Sequence, residues 1–176
     1  VSRIVKNRPI GVFDSGVGGL TVAREILRQY PQESVLYLGD TARVPYGPRG
    51  QDTIRRFALE LVQFLLQRDV KALVIACNSI SAIAAAEIAA LAPVPVFDVV
   101  HPTVRAAVAA TRSGVLGVIG TVTTVRSGIY ASLAAEIRGD VRVVGRECPL
   151  FVPIAEEHLA RHPVARLMAE EYLRDF

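Results

Sequence analysis

Ile10-Gly11-Val12-Phe13-Asp14-Ser15-Gly16-Val17-Gly18-Gly19-Leu20-Thr21-Val22-Ala23-Arg24-Glu25-Ile26-Leu27 is the stretch that decides the fold class. An apolar run from Ile10 to Phe13 is short enough for a strand. A glycine-rich turn follows, and then apolar residues recur at helical spacing from Leu20 to Gln29. The same unit repeats along the chain. Strands are predicted at Val35 to Leu38, Ala72 to Ala76, Val94 to Phe97, Val115 to Ile119 and Val141 to Val144. Helices are predicted at Asp52 to Gln67, Ile80 to Leu91, Thr103 to Ala110, Ser127 to Ile137 and about Val164 to Arg174. Strands with few polar residues, each followed by a helix, are what a parallel sheet covered on both faces requires, so the class is α/β. Ala92-Pro93-Val94-Pro95 and the polar turn Asp98 to Pro102 form the one break in the pattern. They predict a first α/β domain over 1–98 and a second over 99–176.

Composition narrows the function classes. With 176 residues and 51% hydrophobic content the chain can bury a sizeable core, while charged or proline residues interrupt each apolar block before bilayer length. Neither a membrane span nor a secretory leader is predicted from the mildly basic Val1 to Asn7, and the default location is the cytoplasm. Two cysteines, Cys77 and Cys148, lie far apart and show no metal-type spacing, so neither a disulfide framework nor a zinc site is indicated. The net charge is +3 with arginine dispersed along the chain, a pattern that does not point to nucleic acid.

In open parallel sheets ligands bind beyond the carboxyl ends of the strands. The first strand ends on Asp14 and the turn Ser15 to Gly19, which can cradle a carboxylate or phosphate or can simply be a tight connection capped by Asp14. Thr21 stands where a dinucleotide fingerprint has its third glycine, and no P-loop lysine follows. The second strand ends in Gly39-Asp40-Thr41 and leads into Arg43-Val44-Pro45-Tyr46-Gly47-Pro48, a loop stiffened by proline. The third ends in Ala76-Cys77-Asn78-Ser79 at the start of a helix, a position that favours the thiolate. One thiol and two carboxylates on one rim suit removal of a proton from the carbon next to a carboxylate, with Ser15, Asn78 and Ser79 as donors to the substrate's charge. A nucleophilic hydrolase is the weaker fit, because His101, His158 and His162 follow no triad order.

These motifs together resemble the glutamate racemase family. The likeness is carried by Gly11 to Thr21, Gly39-Asp40-Thr41-Ala42, Pro45-Tyr46-Gly47 and Ala76-Cys77-Asn78. It continues through Gly120-Thr121, Thr124-Val125, Ser127 to Tyr130 and Cys148 to Pro153. The resemblance implies a cofactor-independent isomerase that interconverts L- and D-glutamate for peptidoglycan, cytoplasmic and homo-oligomeric (a dimer), with its active site between two related α/β domains. Carried over, Cys77 is the base on the D-glutamate face and Asp14 helps set its protonation, with Asp40 and Glu156 as further acidic groups. Asp14 and Cys77 also contact substrate, together with Ser15, Pro45, Tyr46, Gly47, Asn78, Ser79 and Thr121, and no metal is implied. Ser79 replaces the family's usual threonine but keeps a hydroxyl, and His101 and Thr103 flank Pro102 where the family differs. The family's second catalytic motif, Cys-Thr-His, does not occur in this sequence, which predicts a chain truncated within its second domain and lacking an acid for the opposite face. An aspartate racemase, a single-cysteine decarboxylase and a glutamate-binding protein without turnover are the alternatives.

Overall fold

The structure is a computed structural model that describes residues 7–174 and Phe176, so the basic N-terminal stretch falls largely outside the described residues. By contacts the chain divides into two units. One runs to Tyr46 and resumes over Gly50–Val99, and the other takes Gly47–Arg49 with Val100–Phe176.

The first unit is built on β1 (Ile10–Asp14), β2 (Val35–Gly39), β3 (Ala72–Ile75) and β4 (Val96–Asp98), all parallel, in the order β2-β1-β3-β4. The connections are α1 (Leu20–Gln29), α2 (Gln51–Leu66) and α3 (Asn78–Leu91). Period-two alternation divides β1 between two cores. Phe13 joins Ile54, Phe57, Leu61, Ile75, Ile80 and Ile88 against α2 and α3, whereas Val12 packs with Ala23 and Ala76 on the α1 side. Asp14 has the parity of Val12 and is therefore delivered to the α1 side, at the carboxyl end of the sheet. The register pairs Val12 with Tyr37 and Asp14 with Gly39, which brings the ends of β1 and β2 level.

The second unit contains β5 (Val115–Gly120) and β6 (Arg142–Glu147), a parallel pair, with α4 (Val100–Ala110), α5 (Val122–Arg126), α6 (Ile129–Ile137), α7 (Phe151–Glu156) and α8 (Pro163–Leu173). Val100, Val104, Val108, Ala134 and Val141 form its core. No residue of α8 is buried, and Leu167 is 61% exposed. No described helix is long and apolar enough to cross a membrane.

Several predicted boundaries move for local reasons. The fourth strand starts at Val96 and not Val94, since Pro95 has no N–H to give to a ladder, although its carbonyl accepts from Leu73 N–H at 2.9 Å. Asp98 to Pro102 is not a free turn. The helix begins at Val100, and Pro102 is tolerated in a first turn, where the N–H groups lack intrahelical partners. The predicted Ser127 to Ile137 helix starts two residues later, at Ile129, because Gly128 at φ +71 caps it and separates it from α5, which the sequence reading did not predict. The short α7 is absent from the sequence expectation, and its Pro153 falls in the first turn, where a missing N–H removes no intrahelical bond.

Candidate active site

Cys77 holds the N-cap position of α3 with extended dihedrals, and its carbonyl accepts from Ser81 N–H at 2.8 Å. The helix thus starts two residues earlier than predicted, so Asn78 and Ser79 lie inside its first turn and are not its caps. Cys77 is 6% exposed, and its thiol donates to Ser15 Oγ at 3.4 Å. The carboxylate of Asp14, also 6% exposed, accepts from Ser15 N–H at 2.8 Å and from Gly19 N–H at 2.7 Å. Asp14 therefore caps the N-terminus of α1, and these two amides of the predicted cradle are already taken. A methyl group at Gly19 would stand 2.8 Å from both Ala76 Cβ and Asp14 Cβ. Gly19→Ala is expected to push Asp14 aside and to lower stability by about 1–3 kcal/mol in urea unfolding.

The electrostatics overturn one expectation. A helix N-terminus favours a thiolate, but the Cys77 thiol is pushed up to about 11, first by burial and second by the charge of Asp14. The Ser15 hydroxyl and the amides of Ile80 and Ser15 act in the opposite direction without prevailing. In the folded protein the proton stays on sulfur up to about pH 11, whereas an unfolded thiol loses it near its ordinary 9.0. Between those values the unfolded chain binds fewer protons, so stability should fall as pH rises. The contribution amounts to about 3 kcal/mol across that window and should vanish in Cys77→Ser, as read from urea midpoints at pH 8 and pH 11.

Asp40 and Tyr46 complete the first unit's cluster. Asp40 N–H donates to Asp14 O at 3.0 Å, and the Tyr46 hydroxyl donates to Asp40 Oδ2. Burial and the Asp40 carboxylate raise the proton affinity of Tyr46 far above a free phenol's. The Val44–Pro45 peptide bond is cis. Asn78 is exposed and Ser79 is buried in the first turn of α3. Three of the residues singled out from sequence, Gly47, Thr121 and Glu156, belong to the second unit. There Thr121 caps α5 by accepting from Thr124 N–H at 3.2 Å, and Gly47 O accepts from Thr123 Oγ1 at 2.8 Å. Glu156 ends α7 and is half-buried.

Two residues had no role in the sequence reading. Tyr37 donates from its hydroxyl to Gly16 O at 3.0 Å, and its own proton is held more tightly through burial and the nearby charges of Asp14 and Cys77. A polar-tipped ring two residues before Gly39 in an apolar strand is the only signal that could have marked it. Arg43 pairs with Asp40 at 2.7 Å and with Glu60. Among the described residues no group of His, Cys, Asp and Glu side chains is gathered as a metal ion would need.

Residues 10–173 match the Asp/Glu/hydantoin racemase family. The chain belongs to that family. Within the racemase family, the chain is 50% identical over 94% of its length to a glutamate racemase of Syntrophus aciditrophicus. Among solved structures, a glutamate racemase from Bacillus anthracis matches with a TM-score of 0.92 and 42% identity, over 96% of this chain and 63% of that one. Another from Francisella tularensis, solved with D-glutamate, gives 0.87 and 40%, over 96% and 64%. The chain spans 62% of the Syntrophus protein. Its α/β class with parallel sheets is the racemase fold of these relatives.

Proposed function

We propose that this racemase-family chain carries out proton transfer at the α-carbon of glutamate, as part of the interconversion of the D and L forms, with Cys77 as the base on the D-glutamate face. The observation that carries the reading is one buried thiol at a helix N-terminus, hydrogen-bonded to Ser15, its proton held more tightly by burial and then by the charge of Asp14. A thiolate of such high proton affinity is a strong base for a carbon acid. Forming it at pH 8 costs about 4 kcal/mol, which is a usable fraction of an enzymatic barrier. Asp14 tunes that affinity, while Ser15, Pro45, Tyr46, Asn78 and Ser79 of the first unit bind the amino acid. The resemblance adds Gly47, Thr121 and Glu156 from the second. Supply of D-glutamate for peptidoglycan, a cytoplasmic location and a homodimer complete the reading, supported by the glutamate racemases that the chain resembles at 45–51% identity.

Incubation with D-glutamate in deuterated water tests it, with α-proton loss followed by NMR and L-glutamate by a chiral assay. Loss of the α-proton that disappears in Cys77→Ser is the expected result, and L-glutamate in the same sample would add an acid acting on the opposite face. Binding of glutamate with no exchange would favour the binding protein without turnover. Exchange with aspartate and none with glutamate would move the substrate.

A further inference from the structure

Four side chains of the first unit close a ring around the end of β2. Asp40 is 8% exposed, and a single carboxylate oxygen, Oδ2, receives both the Tyr46 hydroxyl and Arg43 Nε. The Arg43 guanidinium lies 4.0 Å above the Phe57 ring, and Phe57 in turn packs against Tyr46 with ring centroids 5.5 Å apart. A second Arg43 nitrogen reaches Glu60 on the same helix as Phe57. One planar cation thus balances two carboxylates and stacks on an aromatic face at once, a combination that a lysine ammonium cannot reproduce.

Two consequences follow. Asp40 has one carboxylate oxygen filled by two donors, one of them charged, so that oxygen is committed to holding the loop and not to a ligand. Tyr46, 1% exposed, spends its hydroxyl proton on Asp40 and so has none to give to a ligand. We infer that Arg43 is a positioning residue for the proposed glutamate chemistry: it locks Asp40 and, through it, Tyr46 and the loop between them, while Asp40 itself takes no part in proton transfer. This inference rests on the function proposed above, and it separates two roles that the sequence leaves merged in Asp40.

The test compares Arg43→Ala, Arg43→Lys and Asp40→Asn with the parent, reading D-glutamate α-proton exchange for kcat, KM and pH profile, and amide exchange of residues 40–46 by mass spectrometry. A loosened binding loop should raise KM about tenfold in Arg43→Ala with kcat within about threefold, the split expected when binding that is equal in ground and transition states is removed. Arg43→Lys should restore part of the KM because it keeps the charge beside Asp40. Asp40→Asn should raise KM similarly and leave both limbs of the pH profile in place. A hundredfold fall in kcat at unchanged KM, or loss of one limb in Asp40→Asn, would overturn the inference. A parent that neither exchanges nor binds glutamate would sink the racemase reading by itself. The ring is then judged by amide exchange alone: faster exchange at 40–46 in Arg43→Ala or Arg43→Lys, at an unchanged urea midpoint, upholds the positioning role, and unchanged exchange removes it.

Discussion

Cys77→Ser is expected to reduce α-proton exchange of D-glutamate by roughly 10²–10⁴-fold, the range attributed to a positioned acid or base. Serine keeps the size of the side chain and can still donate to Ser15 Oγ, so α3 and its cap should form unchanged. What is lost is the acidity, since a buried hydroxyl beside the Asp14 carboxylate does not ionise near neutral pH. Binding of glutamate, measured by calorimetry, should change by much less than the rate. The same variant removes the thiolate absorbance that develops near 240 nm as the parent titrates towards about 11, and this assigns that transition to Cys77 and not to the buried Cys148. Exchange that survives in Cys77→Ser would place the base elsewhere and end the proposed role of this residue.

Asp14→Asn should produce the next largest change, with two readouts that move separately. The carboxylate oxygens accept from the amides of Ser15 and Gly19 at the start of α1, and an asparagine can replace only one of these acceptors. Loss of a charge-assisted, buried hydrogen bond should cost about 1–3 kcal/mol of stability in urea unfolding. The second readout is the thiol. Removing the negative charge of Asp14 takes away the second cause of the raised Cys77 value, so the 240 nm transition should move down in pH. It should stay above that of an ordinary thiol, because burial is the larger cause and remains. A transition that moves upward or stays in place would show that Asp14 does not tune Cys77. A downward shift fits the proposed tuning of Cys77 by Asp14.

Much of the fold can be read from local periodicity. Ile10 to Phe13 followed by Leu20 to Gln29 is a strand and a helix by spacing alone, and the helix occupies the predicted residues. Hydrophobic pattern is a property of neighbours along the chain, so it survives without knowledge of the partner. Proline and glycine limited that reading where their effect depends on position. Pro102 reads as part of a turn but, like Pro153, sits in the first turn of a helix, and Gly128 separates two helices.

The sequence by itself determined that this chain is an α/β protein with Asp14, Asp40 and Cys77 at the carboxyl ends of successive parallel strands, because strand ends and glycine-rich turns are written in consecutive residues. Only the tertiary structure decided what those groups do to one another. Register brought Tyr37 beside Val12 and delivered its hydroxyl to Gly16, and folding of α2 against β2 placed Phe57 and Glu60 around Arg43 and Tyr46. The proton affinity of Cys77 changed direction for the same reason. The helix terminus that favours a thiolate is local, whereas the desolvation that outweighs it comes from a core gathered from several elements, Tyr46, Ile54 and Phe57 among them, and the Asp14 charge from a residue more than sixty positions away in the chain.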